Sequence, residues 1–201
     1  MPTWSSNPGS TPPPEMQPRP AAAAPAEREA LVHTRSLDIR VFRRSDGLWD
    51  VEGRMVDIKP VAYHMKDSSR AAGEPLHDMV LCLTIDAELT VTNAWAHMHR
   101  GAHDLCPAIT PDYSKLAGLR IGPGWNRKVR ERVGAIQGCT HLTEMLGQMA
   151  TAAMQGMWQE LAETGATSVP INTCHAYASD SPYVKEFFPE HFAPLNRKAG
   201  G

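Results

Sequence analysis

The stretch Gly138-Cys139-Thr140-His141-Leu142-Thr143-Glu144 sets a thiol, an imidazole and a carboxylate at the head of a long, methionine-rich apolar run. A helix N-terminus carries unpaired N–H groups and a partial positive charge, which favour thiolate over thiol. A cysteine placed there is a better nucleophile or metal ligand than one buried within an element. Cys139 and His141, two residues apart, do not share a helix face. Cys139 is therefore the leading candidate, with His141 and Glu144 beside it as groups able to move protons.

Three further places carry similar chemistry. His103-Asp104-Leu105-Cys106 puts a second thiol near an acid and an imidazole. His77-Asp78, after Glu74-Pro75, sets an imidazole and a carboxylate at the mouth of a strand, where they could ligate an ion or act as base. Cys174-His175 is a reserve source of a fourth ligand. Each has a plainer counterpart: a helix start, a buried loop cysteine, a strand-edge pair, a coil. Cys82, inside Val80-Leu81-Cys82-Leu83, reads as core packing. His97, His99 and His103 look like a cluster, but nothing flanking them supports it, and they read as solvated. The methionines after Cys139 read mainly as core and secondarily as the wall of an apolar pocket.

These residues need elements to hold them. Leu37, Ile39 and Val41 alternate with polar residues, Ser45-Asp46-Gly47 turns, and Trp49, Val51 and Met55 alternate again, which predicts a β-hairpin. Lys59 to Met65 is expected as a third strand, followed by a loop to Pro75. Met79 to Ile85 and Leu89 to His97 form a second hairpin across Asp86-Ala87-Glu88. On the latter strand, simple alternation groups Val91 with Asn93, Trp95 and His97. Helices follow: Thr110 capping a short one from Pro111 to Leu119, Asn126 capping a second, and a third from about Cys139 to Glu163. The third has an apolar face of Leu142, Met145, Leu146, Met149, Ala153, Met157 and Leu161, weakened locally by Gly147 and Gly156. The expected fold is α+β: an antiparallel sheet of about five strands in two hairpins, then three helices packed on one face.

The 201 residues suffice for one domain with a core. Residues 1–29, rich in proline and alanine, are expected to be a disordered tail, 30–195 the domain, and 196–201 a flexible end. A net charge of −2 argues against a nucleic-acid binder. No apolar run approaches a membrane span, and no secretory leader pattern opens the chain, so a cytoplasmic setting without membrane partners is expected. In a reducing compartment, four cysteines point to metal binding or catalysis rather than disulfides. No Gly-x-Gly-x-x-Gly or phosphate loop supports a nucleotide cofactor.

From about His33 to His191 the chain resembles the bacterial domain-of-unknown-function family numbered 2889. The phrases that carry the resemblance are His33-Thr34-Arg35, Gly47-Leu48-Trp49-Asp50-Val51-Glu52-Gly53, Asp57-Ile58-Lys59-Pro60, Glu74-Pro75-Leu76-His77-Asp78-Met79, Gly122-Pro123-Gly124-Trp125, Gly138-Cys139-Thr140-His141-Leu142 and Cys174-His175-Ala176. That family brings no established activity. Over about seventy residues, the order His77-Asp78, hairpin, Cys106, Cys139 is also similar to iron–sulfur scaffold proteins of the IscU and SufU type. This second resemblance implies an IscU/SufU-like fold and a zinc or cluster site, with Asp78 as the acid and Cys106 and Cys139 as the second and third cysteines. The first cysteine is absent and His77 stands nearby, which moves the implication towards a mixed zinc site. The resulting expectation is a zinc-dependent hydrolase or lyase for a small apolar metabolite. His77, Cys106 and Cys139 would hold the ion, Cys174 or Asp78 would be fourth, and His141, Glu144 and Asp78 would be catalytic. An iron–sulfur or sulfur-transfer scaffold and a metal-free small-molecule binding module are the alternatives. Oligomeric state is not legible.

Overall fold

The computed structural model describes residues 29–163 and 170–194. The chain divides into two units, Met1–Val32 and His33–Gly201, and the fold described is that of the second. The tail expected over residues 1–29, except Glu29, and the end expected over 196–201 lie outside the described residues.

The first hairpin forms as the alternation predicts. β1 (Thr34–Arg43) pairs antiparallel with β2 (Trp49–Ile58), and the connection turns at Gly47, whose φ of +84° suits glycine. The expected third strand shrinks to a short ribbon, β3 (Tyr63–His64) against β4 (Ser69–Arg70). Pro60 cannot donate to a ladder, and the place beside β2 is taken by β5 (Pro75–Ile85). β6 (Val91–Arg100) completes a four-stranded antiparallel sheet in the order β1-β2-β5-β6. The architecture is α+β, with four main strands rather than about five.

Register explains which side chains face inward. Leu37, Met55, Met79 and Met98 form one cross-strand row; Ile39, Gly53, Leu81 and Ala96 form the next. A register shift between Thr84 and Ile85 corrects the simple alternation on β6: Val91 joins Ala94, Ala96 and Met98 on the inner face. The outer face is polar along its flanks, with ion pairs Arg40–Asp38 and Arg54–Asp78.

A 3₁₀ segment, Cys106–Leu116, follows β6 and starts earlier than the helix expected at Pro111. α1 (Trp125–Val133) is capped by Gly124 rather than Asn126. α2 (Thr140–Glu163) is the longest element and lies across the inner face of the sheet. Its methionine stripe is core: Met145, Met149 and Met157 are buried against the sheet. The two glycines that lower its propensity serve close packing. A Cβ on Gly156 would come within 2.7 Å of Val41, and one on Gly147 within 3.3 Å of Asn126. The buried Trp125 donates from Nε1 to the Leu146 carbonyl at 3.0 Å, fixing α1 to α2. Beyond the sheet and helices, α3 (Pro182–Phe187) is capped by Ser181, whose Oγ accepts from Val184 N–H at 3.1 Å. Among the described residues, no helix is long and apolar enough to cross a membrane.

Cys82 lies buried on the central strand, and burial, reinforced by the charges of Asp50 and Glu52, pushes its thiol from an ordinary 9.0 to about 12. A raised pKa means the folded state prefers the protonated form. The associated stability is complete below pH 9.0 and is lost as pH rises towards about 12. Replacing Cys82 with alanine should therefore flatten the alkaline limb of a stability–pH profile from chemical denaturation. In the folded protein at pH 8, iodoacetamide should label the exposed Cys174 well before Cys82; equal labelling would contradict this packing.

Candidate metal centre

Along β2 the inward positions read Trp49, Val51, Gly53, Met55 and then Asp57. Along β5, read backwards, they are Ile85, Leu83, Leu81, Met79 and then His77. At one end of the sheet the apolar rows thus give way to a polar one, Arg35–Asp57–His77, across three strands. Asp57 is buried, with a side-chain exposure of 1%. Such a carboxylate needs partners, and it has several. Arg35 donates from Nε to Oδ1 at 2.7 Å and from Nη2 to Oδ2 at 2.8 Å, a bidentate fork. His77 Nδ1 lies 2.9 Å from Oδ2, and His33 Nε2 lies 3.2 Å from Oδ1. Burial on its own would raise the Asp57 pKa, but the hydrogen bonds and charges of Arg35 and His77 outweigh it and hold the carboxyl at about 2.

α2 brings the third group. Its first turn is anchored by the fully buried Tyr113, whose hydroxyl accepts from the Cys139 N–H at 3.0 Å and meets Thr143 Oγ1 at 2.9 Å. Thr143 in turn donates to the Val133 carbonyl at 2.9 Å. A Cβ on Gly138 would overlap that carbonyl, so only glycine allows the approach. So held, α2 places the His141 ring 4.1 Å from the His77 ring, centroid to centroid. Asp57, His77 and His141 offer ligand atoms that all lie within 4.8 Å of one another, so the three could hold a metal ion. Burial first, then the positive charges of His77 and Arg35, lowers the His141 pKa. That favours the neutral ring a metal ligand must be.

A cavity of about 410 Å³ opens from the two histidines. Cys139, with Sγ 3.8 Å from His141 Nδ1, is on its wall, and so is Cys106. Gly101 makes room for Cys106, since a Cβ there would come within 2.7 Å of the Cys106 Cβ. The β3–β4 ribbon closes one side. It is clasped to the loop after β6 by Ser68 Oγ to the Ala102 carbonyl, Arg70 Nη2 to the Gly101 carbonyl (both 3.0 Å) and His103 Nδ1 to Asp67 (2.8 Å).

The structure brings His77, Cys106, Cys139 and His141 to one cavity, as four of the residues singled out from the sequence. It places the others elsewhere. Asp78 follows His77 on a strand and so points to the opposite face, where Arg54 grips it at 2.8 and 2.9 Å. Glu144 lines a groove between α1 and α2 with Asn126 and Arg130. Cys174 is exposed and is not among the residues lining the cavity. His97 and His99 are exposed neighbours of each other, with ring centroids 4.5 Å apart, and His103 goes to Asp67 instead. Asp57, Arg35 and His33 are the residues that sequence reasoning passed over. The available signal was parity: Asp57 continues the apolar positions of its strand.

Truncating Asp57 leaves Arg35 and His77 without their shared anion. Asp57→Ala should lower stability by about 3–5 kcal/mol, and Tyr113→Phe by about 1–2 kcal/mol through the orphaned Cys139 N–H. Urea denaturation measures both; losses below about 0.5 kcal/mol would show that these contacts do not hold the site together.

The description "Protein of unknown function (DUF2889)" belongs to a family whose model matches residues 33–155, a span that contains His33, Arg35, Asp57, His77, Cys106, Cys139 and His141. No curated protein and no solved structure matches the chain, so the IscU/SufU-type resemblance rests on its quoted residues alone. The matched span covers more than half of the sequence, and the chain belongs to the DUF2889 family.

Proposed function

We propose that the protein is a metal-dependent enzyme, with zinc as its ion and a hydrolase or lyase reaction on a small molecule held in the adjoining cavity. The observation that carries this reading is the convergence of Asp57, His77 and His141, with the two histidines on the wall of that cavity. The donor set suits zinc: one carboxylate oxygen and two imidazole nitrogens leave a fourth position open, the pattern of catalytic rather than structural zinc sites. Zinc, when bound, supplies Lewis acidity that polarises carbonyl oxygens and lets water ionise near neutral pH.

The rest of the work falls to the chain. Arg35 and His33 fix the Asp57 carboxylate, and Asp57 fixes the His77 ring through Nδ1. The β3–β4 ribbon limits water access from one side. His103, oriented by Asp67 on the cavity rim, is the group placed to take or give a proton. His141 joins the ligand set, and Glu144 lies in the groove between α1 and α2, its charge acting on His141 and Arg35. Cluster assembly is not proposed. The scaffold resemblance calls for three cysteines, and among the described residues only Cys106 and Cys139 line this cavity.

One observation favours a second reading, a metal-free binding module. The Arg35 fork already neutralises Asp57, so the polar row is electrically complete without an ion. Metal analysis of freshly purified protein separates the two. The metal reading expects close to one zinc per chain, lost in His77→Ala and His141→Ala but retained in Cys174→Ser. Chelation should also lower the melting temperature of the parent protein. Absence of metal, with a melting temperature indifferent to chelator, would reject the enzyme reading and leave the binding module.

A further inference from the structure

The cavity beside the histidines has an unusual lining. Five of its side chains end in or carry sulfur: Met65 from the ribbon, Met79 from β5, Met98 from β6, and Cys106 and Cys139. Leu76, Ala102 and the ring of Tyr63 supply the remaining apolar surface. No lysine, arginine, aspartate or glutamate is among the lining residues described. Of the three imidazoles there, His77 is tied to Asp57, His103 to Asp67, and His141 stands against the His77 ring.

That inventory restricts what can enter. A charge carried on the body of a ligand would lose its hydration and meet no counter-charge in this wall, which is costly. Thioether and thiol sulfur is polarisable and makes favourable contacts with ring edges, and a tyrosine ring adds to them. A volume of about 410 Å³ is near the small end for ligand cavities and leaves room for an aromatic ring and its substituents. His77 and His141 stand together on the cavity wall, their ring centroids 4.1 Å apart. We infer that the ligand is an uncharged aromatic compound whose one polar group points to His77 and His141. The orientation of that group rests on the metal reading above; the preference for a neutral ring does not.

The test uses the full chain as purified, with metal content measured on the same sample. Ligand-observed NMR follows phenol, benzyl alcohol and benzamide, each beside its para-carboxylate, with acetamide as the ring-less control. At least one neutral ring should bind, its para-carboxylate at least about tenfold more weakly, and acetamide at least about tenfold more weakly than benzamide. Ala102→Phe, which pushes a ring into the cavity from its wall, should weaken binding severalfold; Tyr63→Ala, on the exposed ribbon, should also weaken it should the first variant fold poorly. The inference is overturned if none of the three neutral rings binds, if a para-carboxylate binds as tightly as its parent, or if both variants bind like the parent protein. Binding by a sample without metal would reject the metal reading and keep this one. Stoichiometric metal without ring binding would do the reverse.

Discussion

A carboxylate cannot be buried alone, and the end of this sheet is organised around that constraint. Asp57 sits where the inward parity of β2 calls for an apolar side chain. Its charge is accommodated because β1 supplies a guanidinium fork and β5 an imidazole at matching register. The register of three strands and the orientation of one histidine therefore depend on a single acid. A slip of one residue in either ladder would send Arg35 or His77 to the outer face and strand the carboxylate. Removing a partner from a buried ion pair is costly, whereas replacing the whole set by apolar residues is often neutral. Stability alone therefore does not account for a charged row at this place.

The second requirement is the aim of α2. A helix packed on a sheet through methionines could slide by small amounts, since methionine adapts to several arrangements. Here sliding is opposed at both ends and in between: by the Tyr113 and Gly138 contacts at the start, by Trp125 on the Leu146 carbonyl, and by the close approach of Gly156 to Val41. The consequence is that His141 and Cys139 meet the polar row from the helix side while His77 meets it from the sheet.

Much of this could be read from the residue order, and the failures have physical causes. The first hairpin, the long helix and its apolar face follow directly from periodicity. The third strand did not survive Pro60, and the grouping of Val91 with Asn93, Trp95 and His97 fails because a bulge resets alternation without a sequence mark. His77, Cys106, Cys139 and His141 were legible as chemistry-bearing residues at element ends. Asp78 adjoins His77 in sequence but not in space, because strand neighbours face opposite ways. Asp57, Arg35 and His33 lie within phrases that carry the family resemblance, yet their roles require knowing that β2 sits between β1 and β5. Long-range strand order of that kind is not encoded in any local pattern.

Asp57, His77 and His141 are proposed as one ligand set beside a sulfur-walled cavity. X-ray absorption at the zinc edge, on full-length protein loaded with one equivalent of zinc, reads that set. The expected first shell is nitrogen and oxygen at about 2.0–2.1 Å, with outer-shell scattering from two imidazoles. A shell dominated by sulfur at about 2.3 Å would move the ion to Cys106 and Cys139 and contradict the claim, as would a spectrum unchanged from zinc in buffer.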